Sequence, residues 1–197
     1  ENKKNTQEFP LREAHHLVRD LMTPNPIIYW IDFLFHTALG WAAFVVALST
    51  PLFSIWQLVA FIVATLAHYR AIIFIHELAH LKKGTFKIFR LVWNLISGIP
   101  FLVPSFTYGI HYDHHKPDIY GTSEDGEYIP FATKHPLLMV GYVLFSFFLP
   151  LILFARYLLL TPASYLIPPL RKFCWERASS LSINPTYKRP SGYIRND

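Results

Sequence analysis

Two short histidine clusters contain the residues of this chain whose types and spacing suit chemistry. The first, HELAH, occupies residues 76–80, and the second, HYDHH, occupies residues 111–115. Together they supply five candidate metal ligands: His76, His80, His111, His114 and His115. With ten histidines in 197 residues, an i, i+4 pair is expected roughly 0.5 times by chance, but the triple spacing of the second cluster only about 0.025 times. The second cluster is therefore the more specific sign of a metal site.

Helical spacing would bring these imidazoles together. Residues four apart lie one turn apart on the same face of a helix, so His76 and His80 can face a common centre. His111 repeats this relation with His114 or His115 if the second cluster is helical. Imidazole suits iron, zinc, copper and nickel, so the ligand type leaves the metal open. A single zinc site uses three or four protein ligands, and five histidines therefore favour two metal ions.

The elements that position the clusters are expected to lie in a membrane. The chain is 52% apolar and 17% aromatic, and residues 27–48 and 52–75 each exceed the ~20 apolar residues that cross a bilayer as a helix. A helix over residues 52–75 would be about 36 Å long, which brings the first cluster to the membrane surface. The first stretch follows a polar leader and lacks a small-residue cleavage site, so no cleavable signal peptide is predicted.

The distribution of charge indicates how the chain is oriented. The net charge of +5 comes mainly from Lys and Arg in the leader, after the second span and near the C-terminus. The positive-inside rule then predicts that the N-terminus and both histidine clusters are cytoplasmic. A nucleic-acid partner is not expected, because these basic residues flank apolar spans instead of forming a stripe on a soluble face. Cys174 is the only cysteine, which excludes an internal disulfide and thiolate metal sites.

The predicted fold class is all-α: a multi-pass transmembrane helical domain with an interfacial helix and a cytoplasmic histidine-cluster segment. We divide the chain into a leader (1–26), a partial membrane domain (27–175) and a polar tail (176–197). A polar stripe with helical spacing over residues 85–103 predicts a helix in the membrane interface. Residues 136–170 are apolar but interrupted by prolines, and the basic residues at both ends favour a kinked re-entrant or interfacial pair over a single crossing.

The order of these features resembles one known superfamily. A membrane hairpin, HELAH at its cytoplasmic end, an interfacial apolar stretch and then HYDHH are similar to the membrane fatty acid desaturase superfamily, which includes hydroxylases and ketolases. Residues 120–131 and 176–190 are also similar to its bacterial members. The resemblance covers most of residues 27–190.

The resemblance implies an oxygen-dependent membrane oxidoreductase with two iron ions and O2 as cofactors and the five histidines named above as iron ligands. The implied substrate is a fatty acyl or similar lipid chain that gains a double bond, with hydroxylation or ketolation as the alternative. The implied partner is an electron donor such as ferredoxin or a cytochrome b5-like protein. The superfamily has a third cluster of HxxHH type, whereas no histidine follows His135 here. We therefore expect a fragment that lacks this cluster and is inactive by itself, since His15 and His16 lack the cluster spacing.

Acidic side chains around the second cluster could orient the imidazoles through their other ring nitrogen. The candidates for this role are Asp113, Asp118, Glu124, Asp125 and Glu127. A solvated acidic loop is the alternative interpretation of each one. Within the hairpin, Asp32 and Arg70 are predicted at equal depth if the chain turns at Pro51. An ionisable residue inside a membrane usually needs a partner, so we predict that these two side chains neutralise each other.

Two other interpretations of the same residues stay open. HELAH also spells the HExxH signature of zinc proteases, with Glu77 as the general base and Asp125-Gly126 as a candidate distal motif. His36 and His68 lie at equal depth in the hairpin and could be the axial ligands of a haem in a membrane cytochrome. A hydrogen-bonded packing pair is the simpler explanation of these two histidines.

Overall fold

The computed structural model describes residues 10–19, 23–81, 84, 86–129 and 131–190. The α-helices in this part of the chain are α1 (Leu11–Leu17), α2 (Pro26–Ser49), α3 (Ile55–Ile72), α4 (Phe74–His80), α5 (Lys87–Trp93), α6 (Ile110–His114), α7 (Leu137–Ser146), α8 (Leu149–Ala155), α9 (Thr161–Leu166) and α10 (Pro168–Arg177). No strand occurs among these residues, and the predicted all-α class is confirmed. Parts of the predicted leader (1–9 and 20–22), Lys82 and Lys83, and the end of the tail (191–197) lie outside the described residues.

Helices α2 and α3 form an antiparallel apolar hairpin. α2 begins at Pro26, whose fixed φ suits the first helical position. α3 begins at Ile55, three residues later than the predicted span, because the preceding residues form the turn. Phe53 takes a left-handed φ of 61° there, and Ser54 caps α3 by accepting a hydrogen bond from the Gln57 backbone N–H (3.1 Å).

The second predicted span also ends later than expected. Ile73 joins α3 to α4 in a helical conformation, so Ile55–His80 is one apolar helix of 26 residues. Within the described part of the chain, this helix, Pro26–Ser49 and Leu149–Leu166 are the three that are long and apolar enough to cross a membrane. The HELAH cluster therefore occupies the last turns of a spanning helix instead of following it.

Small side chains allow α2 and α3 to approach closely. The buried positions along the contact are Thr37, Gly40, Ala43 and Ala47 on α2 and Ala60, Ala64, Ala67 and Ala71 on α3. Such small residues are typical of helix pairs in membranes, because lipid supplies no hydrophobic drive and close packing must stabilise the contact. At Gly40, a Cβ atom would lie only 2.8 Å from the His68 ring. Glycine is thus required for this imidazole to pack between the helices.

Helix α5 packs across the hairpin beside the HELAH cluster. Its buried Phe89 and Trp93 join Phe33, Phe74 and Leu78 in the hydrophobic core of the molecule. The Trp93 indole N–H donates to the carbonyl oxygen of Ala71 (2.8 Å), which satisfies both buried polar groups. This core fixes α4 where it carries the first histidine cluster.

The helix predicted over residues 85–103 is shorter than expected, since α5 continues as a π-helix only to Gly98. Its polar stripe faces the protein except at the exposed Lys87: Arg90 donates to the Leu78 carbonyl oxygen (2.7 Å) and Asn94 to the Ser105 hydroxyl (2.9 Å). The exposed side is apolar and includes Ile88 and Leu91. An apolar outer face suits contact with lipid, and the interfacial position stays a prediction.

Prolines divide the apolar residues 136–170 as expected. Pro150 occupies a first-turn position of α8, where a missing N–H costs nothing, and Pro168 begins α10. Pro162 does not divide the stretch, because α8, a π-helical turn over residues 156–160 and α9 form one helix, Leu149–Leu166. Arg156 lies in the middle of this stretch, and it donates hydrogen bonds to the Ala178 carbonyl oxygen and the Thr161 hydroxyl. These partners explain how a cation is accommodated among apolar helices. The choice between a re-entrant pair and a single crossing stays a prediction.

The predicted ion pair in the hairpin is confirmed. Arg70 donates to the carboxylate of Asp32, whose other oxygen lies 2.7 Å from His36 Nδ1. His68 instead contacts the rings of Trp41 and Phe101, each with centroids 5.0 Å away. The two hairpin histidines therefore have separate partners, and the structure shows them neither as a hydrogen-bonded pair nor as residues facing a shared ligand.

Candidate metal centre

The first histidine cluster supplies two imidazoles from the last turns of α4. His76 and His80 lie four residues apart on one helical face, with ring centroids 4.8 Å apart. The intervening Glu77 points away, and it accepts a hydrogen bond from the Tyr29 hydroxyl (2.9 Å). Leu78 is buried in the core on the opposite side and holds the helix in place.

The second cluster lies on the short helix α6, which packs against α4. His111 is 4% exposed, and its ring centroid lies 4.3 Å from that of His76. Its Nε2 atom lies 3.0 Å from His80 Nε2 and 3.1 Å from His115 Nε2. The predicted convergence of the two clusters at one point is therefore observed, with His111 at its centre.

His114 lies at the edge of this group. Its ring centroid is 6.1 Å from that of His111 and 5.5 Å from that of His115. His115 comes closer to His80, with centroids 4.8 Å apart, because it follows the last residue of α6 and caps that helix. The structure thus brings His76, His80, His111 and His115 together, with His114 beside them.

Two of the five acidic candidates contact the histidines. The His114 Nδ1–H donates to both carboxylate oxygens of Asp125 (2.9 Å each), and the His111 Nδ1–H donates to Glu127 (2.8 Å). A carboxylate on Nδ1 fixes the tautomer and leaves the Nε2 lone pair free for a metal ion. These contacts make Asp125 and Glu127 the residues that orient the second cluster.

The other acidic candidates lie elsewhere. Asp113 pairs with Lys116 on the surface (2.6 Å), and Asp118 and Glu124 are exposed. The solvated-loop interpretation therefore fits Asp118 and Glu124, whereas Asp113 lies on α6. Neither spacing nor charge in the sequence distinguishes these three residues from the two that contact histidine.

Asp125 is an ionised carboxylate in a fully buried position. Burial would raise its pKa, but hydrogen bonds from the Gly121 and Glu127 backbone N–H groups and from His114 outweigh burial and lower the pKa. Burial raises the pKa of Glu127 to about 7. The site therefore contains one permanent negative charge beside His114 and one carboxyl group that is easily protonated beside His111.

Burial also determines the charge of the central imidazole. Burial lowers the pKa of His111 to about 4, and repulsion from His76, His115 and His114 adds to this effect. The imidazole is therefore neutral at pH 7 and able to donate a lone pair from Nε2. Tyr108, which the sequence did not single out, stacks on this ring (centroids 4.9 Å apart, planes at 8°). Tyr108 lies in the turn before α6, and its position three residues before His111 is the only sequence signal for this contact.

The donor set fits metal binding. Ligand nitrogen atoms of His76, His80 and His111 all lie within 4.8 Å of one another. His115 adds a fourth nitrogen at hydrogen-bond distance from His111, and imidazole nitrogens suit iron as well as zinc. These residues, with His114 alongside, are the ones that would hold metal ions.

Comparison with known proteins assigns the chain to a family. The fatty acid desaturase model matches residues 54–187, which include both histidine clusters. The chain belongs to the fatty acid desaturase family. A ceramide hydroxylase of Caulobacter vibrioides is 38% identical over 179 residues, which cover 90% of this chain and 51% of that protein. The chain therefore spans about half the length of this relative. No solved structure matches the chain.

Membership of the fatty acid desaturase family also bears on the location of the chain. Together with the three apolar helices, it identifies an integral membrane protein. It gives no support to the zinc-protease interpretation, in which Glu77 would act as a base, or to the haem interpretation of His36 and His68.

Proposed function

We propose that this chain carries part of the active site of an iron- and oxygen-dependent membrane oxidoreductase that hydroxylates the hydrocarbon chain of a lipid. The observation that carries the proposal is the convergence of imidazoles from α4 and α6 at the end of an apolar spanning helix. Sequence reasoning put desaturation first. The similarity to a ceramide hydroxylase favours hydroxylation at least as much and makes ceramide the first substrate to test.

The residues of this chain would hold and orient the metal ions. Iron bound by the histidines would supply the activation of dioxygen that an unreactive methylene group requires. Asp125 and Glu127 contact Nδ1 of His114 and His111, which leaves the Nε2 atom of each ring free to bind a metal ion. Burial of His111 beneath the Tyr108 ring limits access of water from that side. Burial and the neighbouring Glu127 raise the pKa of Tyr108 to about 12, so its phenol stays protonated.

The surroundings of the cluster suit a lipid substrate. Saturated carbon offers no charge for recognition, so selectivity must come from apolar walls that hold the chain against the metal site. The outer faces of α2, α3 and α5 carry exposed apolar side chains such as Ile31, Leu66 and Ile88, which suit contact with lipid. We further propose that the N-terminus and the clusters are cytoplasmic, where ferredoxin or a cytochrome b5-like protein would deliver electrons.

The test is metal content and product formation by the full-length protein. Purified protein is expected to contain about two iron ions per chain, and ceramide incubated with an electron donor and ¹⁸O2 should gain one labelled oxygen atom. His111→Ala should abolish both, whereas His135→Ala, a change to an exposed histidine outside the cluster, should change neither. An alkene product without labelled oxygen would indicate desaturation, and a single zinc ion with no iron would refute the proposal.

A further inference from the structure

The loop that carries Asp125 and Glu127 is held by a distant segment of the chain, which we call the tail loop (residues 181–189). The carbonyl oxygen of Gly126 accepts three hydrogen bonds from it. They come from Ile183 N (2.9 Å), Asn184 N (3.0 Å) and the Ser182 hydroxyl (2.7 Å). Three donors on one carbonyl oxygen fix the peptide between the two carboxylate residues.

The side chain of Asn184 adds a fourth bond. Its amide Nδ2 donates to the backbone oxygen of Asp125 (2.9 Å). Its Oδ1 accepts from the Thr186 backbone N–H (3.0 Å) and hydroxyl (2.7 Å). The bonds to Oδ1 determine which end of the amide faces Asp125, so the side chain is oriented before it meets the loop.

The tail loop is itself anchored at both ends. Leu181 N donates to the Thr107 carbonyl oxygen (2.9 Å), and Arg189 N donates to the Glu176 carbonyl oxygen on α10 (2.8 Å). Tyr187, between these anchors, is 8% exposed. Because the anchors belong to structured elements, the tail loop can act as a fixed support.

Small movements of the supported loop would reach the histidines. Asp125 and Glu127 flank Gly126. Asp125 accepts from the His114 ring with both carboxylate oxygens, and Glu127 accepts from the His111 ring with one. Gly126 lies so close to α6 that a Cβ atom there would be 2.7 Å from Ile110 Cδ1. The loop therefore has little freedom while the tail loop is in place, and it would lose four hydrogen bonds without it.

We propose that Asn184 and Ser182 are positioning residues for the metal centre, which act through the 125–127 loop on His114 and His111. This inference rests on the proposed function, because it assumes that the histidines bind metal ions. It assigns a role in the site to a segment that contains no histidine. Loss of outer partners of metal-binding histidines typically weakens metal binding about 10- to 100-fold.

The experiment compares the metal affinity of wild-type and variant full-length protein by competition with a chelator. Iron and Co²⁺ are measured separately, and the absorption spectrum of bound Co²⁺ reports the geometry of its ligands. Asn184→Ala should weaken binding of both metals at least about tenfold, and Ser182→Ala, which removes one of three donors to Gly126, about threefold. Lys188→Ala is the matched control, because the side chain of this tail-loop residue is 53% exposed and pairs with Glu176 (3.0 Å) instead of the 125–127 loop. It should leave affinity and spectrum unchanged.

Wild-type affinity and an unchanged Co²⁺ spectrum in both variants would overturn the inference. Ser182→Ala keeps the test valid if Asn184→Ala fails to fold, because it removes a single hydroxyl group. Wild-type protein that binds Co²⁺ but oxidises no lipid would refute the proposed function alone, since the variants can still be compared with it. Wild-type protein that binds neither metal would refute both.

Discussion

Replacing Asp125 by Asn should weaken the metal centre without removing a histidine. The carboxylate accepts hydrogen bonds from Gly121 N, Glu127 N and the His114 ring, and it is fully buried. An amide in its place presents one oxygen, which accepts, and one NH2 group, which only donates. One of these three donors must then face another donor, and the charge that keeps the proton on His114 Nδ1 is lost.

The expected cost follows from these contacts. A buried donor left without an acceptor costs about 1–3 kcal/mol, so Asp125→Asn should lower the free energy of unfolding by about 2 kcal/mol. Loss of the tautomer control on His114 should weaken iron binding about 10- to 100-fold. Asp113→Asn is the matched control: it alters a surface ion pair with Lys116, and it should cost at most about 1 kcal/mol and leave iron binding unchanged.

The assay is chelator competition for iron together with thermal unfolding of the full-length protein in detergent. Equal iron affinity in the two variants would refute the reasoning, because it would mean that the contact between Asp125 and His114 does not orient a ligand. A loss of stability with full iron affinity would assign Asp125 a purely structural role.

Three further predictions concern the hairpin and the first cluster. Gly40→Ala should destabilise the protein by about 1–3 kcal/mol, since the new methyl group would lie 2.8 Å from the His68 imidazole on α3. Gly141→Ala is the control and should not destabilise the protein, because a methyl group there meets no atom within 4 Å; thermal unfolding measures both variants. Asp32→Ala should lower the free energy of unfolding by about 2–3 kcal/mol, because it leaves Arg70 unpaired in the membrane. A double variant with Arg70→Leu should recover part of this stability, and additive losses in the double variant would contradict the ion pair. Glu77→Gln should keep the hydrogen bond from Tyr29, and elemental analysis should find the iron content of the protein unchanged. Lipid oxidation by this variant should stay within about twofold of wild type, whereas a zinc protease would lose its general base and its activity.

The sequence by itself determined the helical class, the membrane hairpin and the meeting of the two clusters. Hydropathy summed over some twenty residues identifies a spanning helix because each apolar residue contributes separately to its transfer into lipid. The four-residue spacing of His76 and His80 needs only helix geometry to place both rings on one face. The ion pair of Asp32 and Arg70 could be predicted for a similar reason, since equal depth in a hairpin follows from counting residues.

Only the tertiary structure decided which side chains surround the histidines. Asp125 and Glu127 are acidic like Glu124, and their role depends on a loop whose path is held by Asn184, 59 residues after Asp125. Hydrogen bonds form only at short distance and suitable angles, so the partners of a loop without regular structure cannot be deduced from residue types or spacing. The position of His115 in the group, with His114 at its edge, likewise depends on where α6 ends.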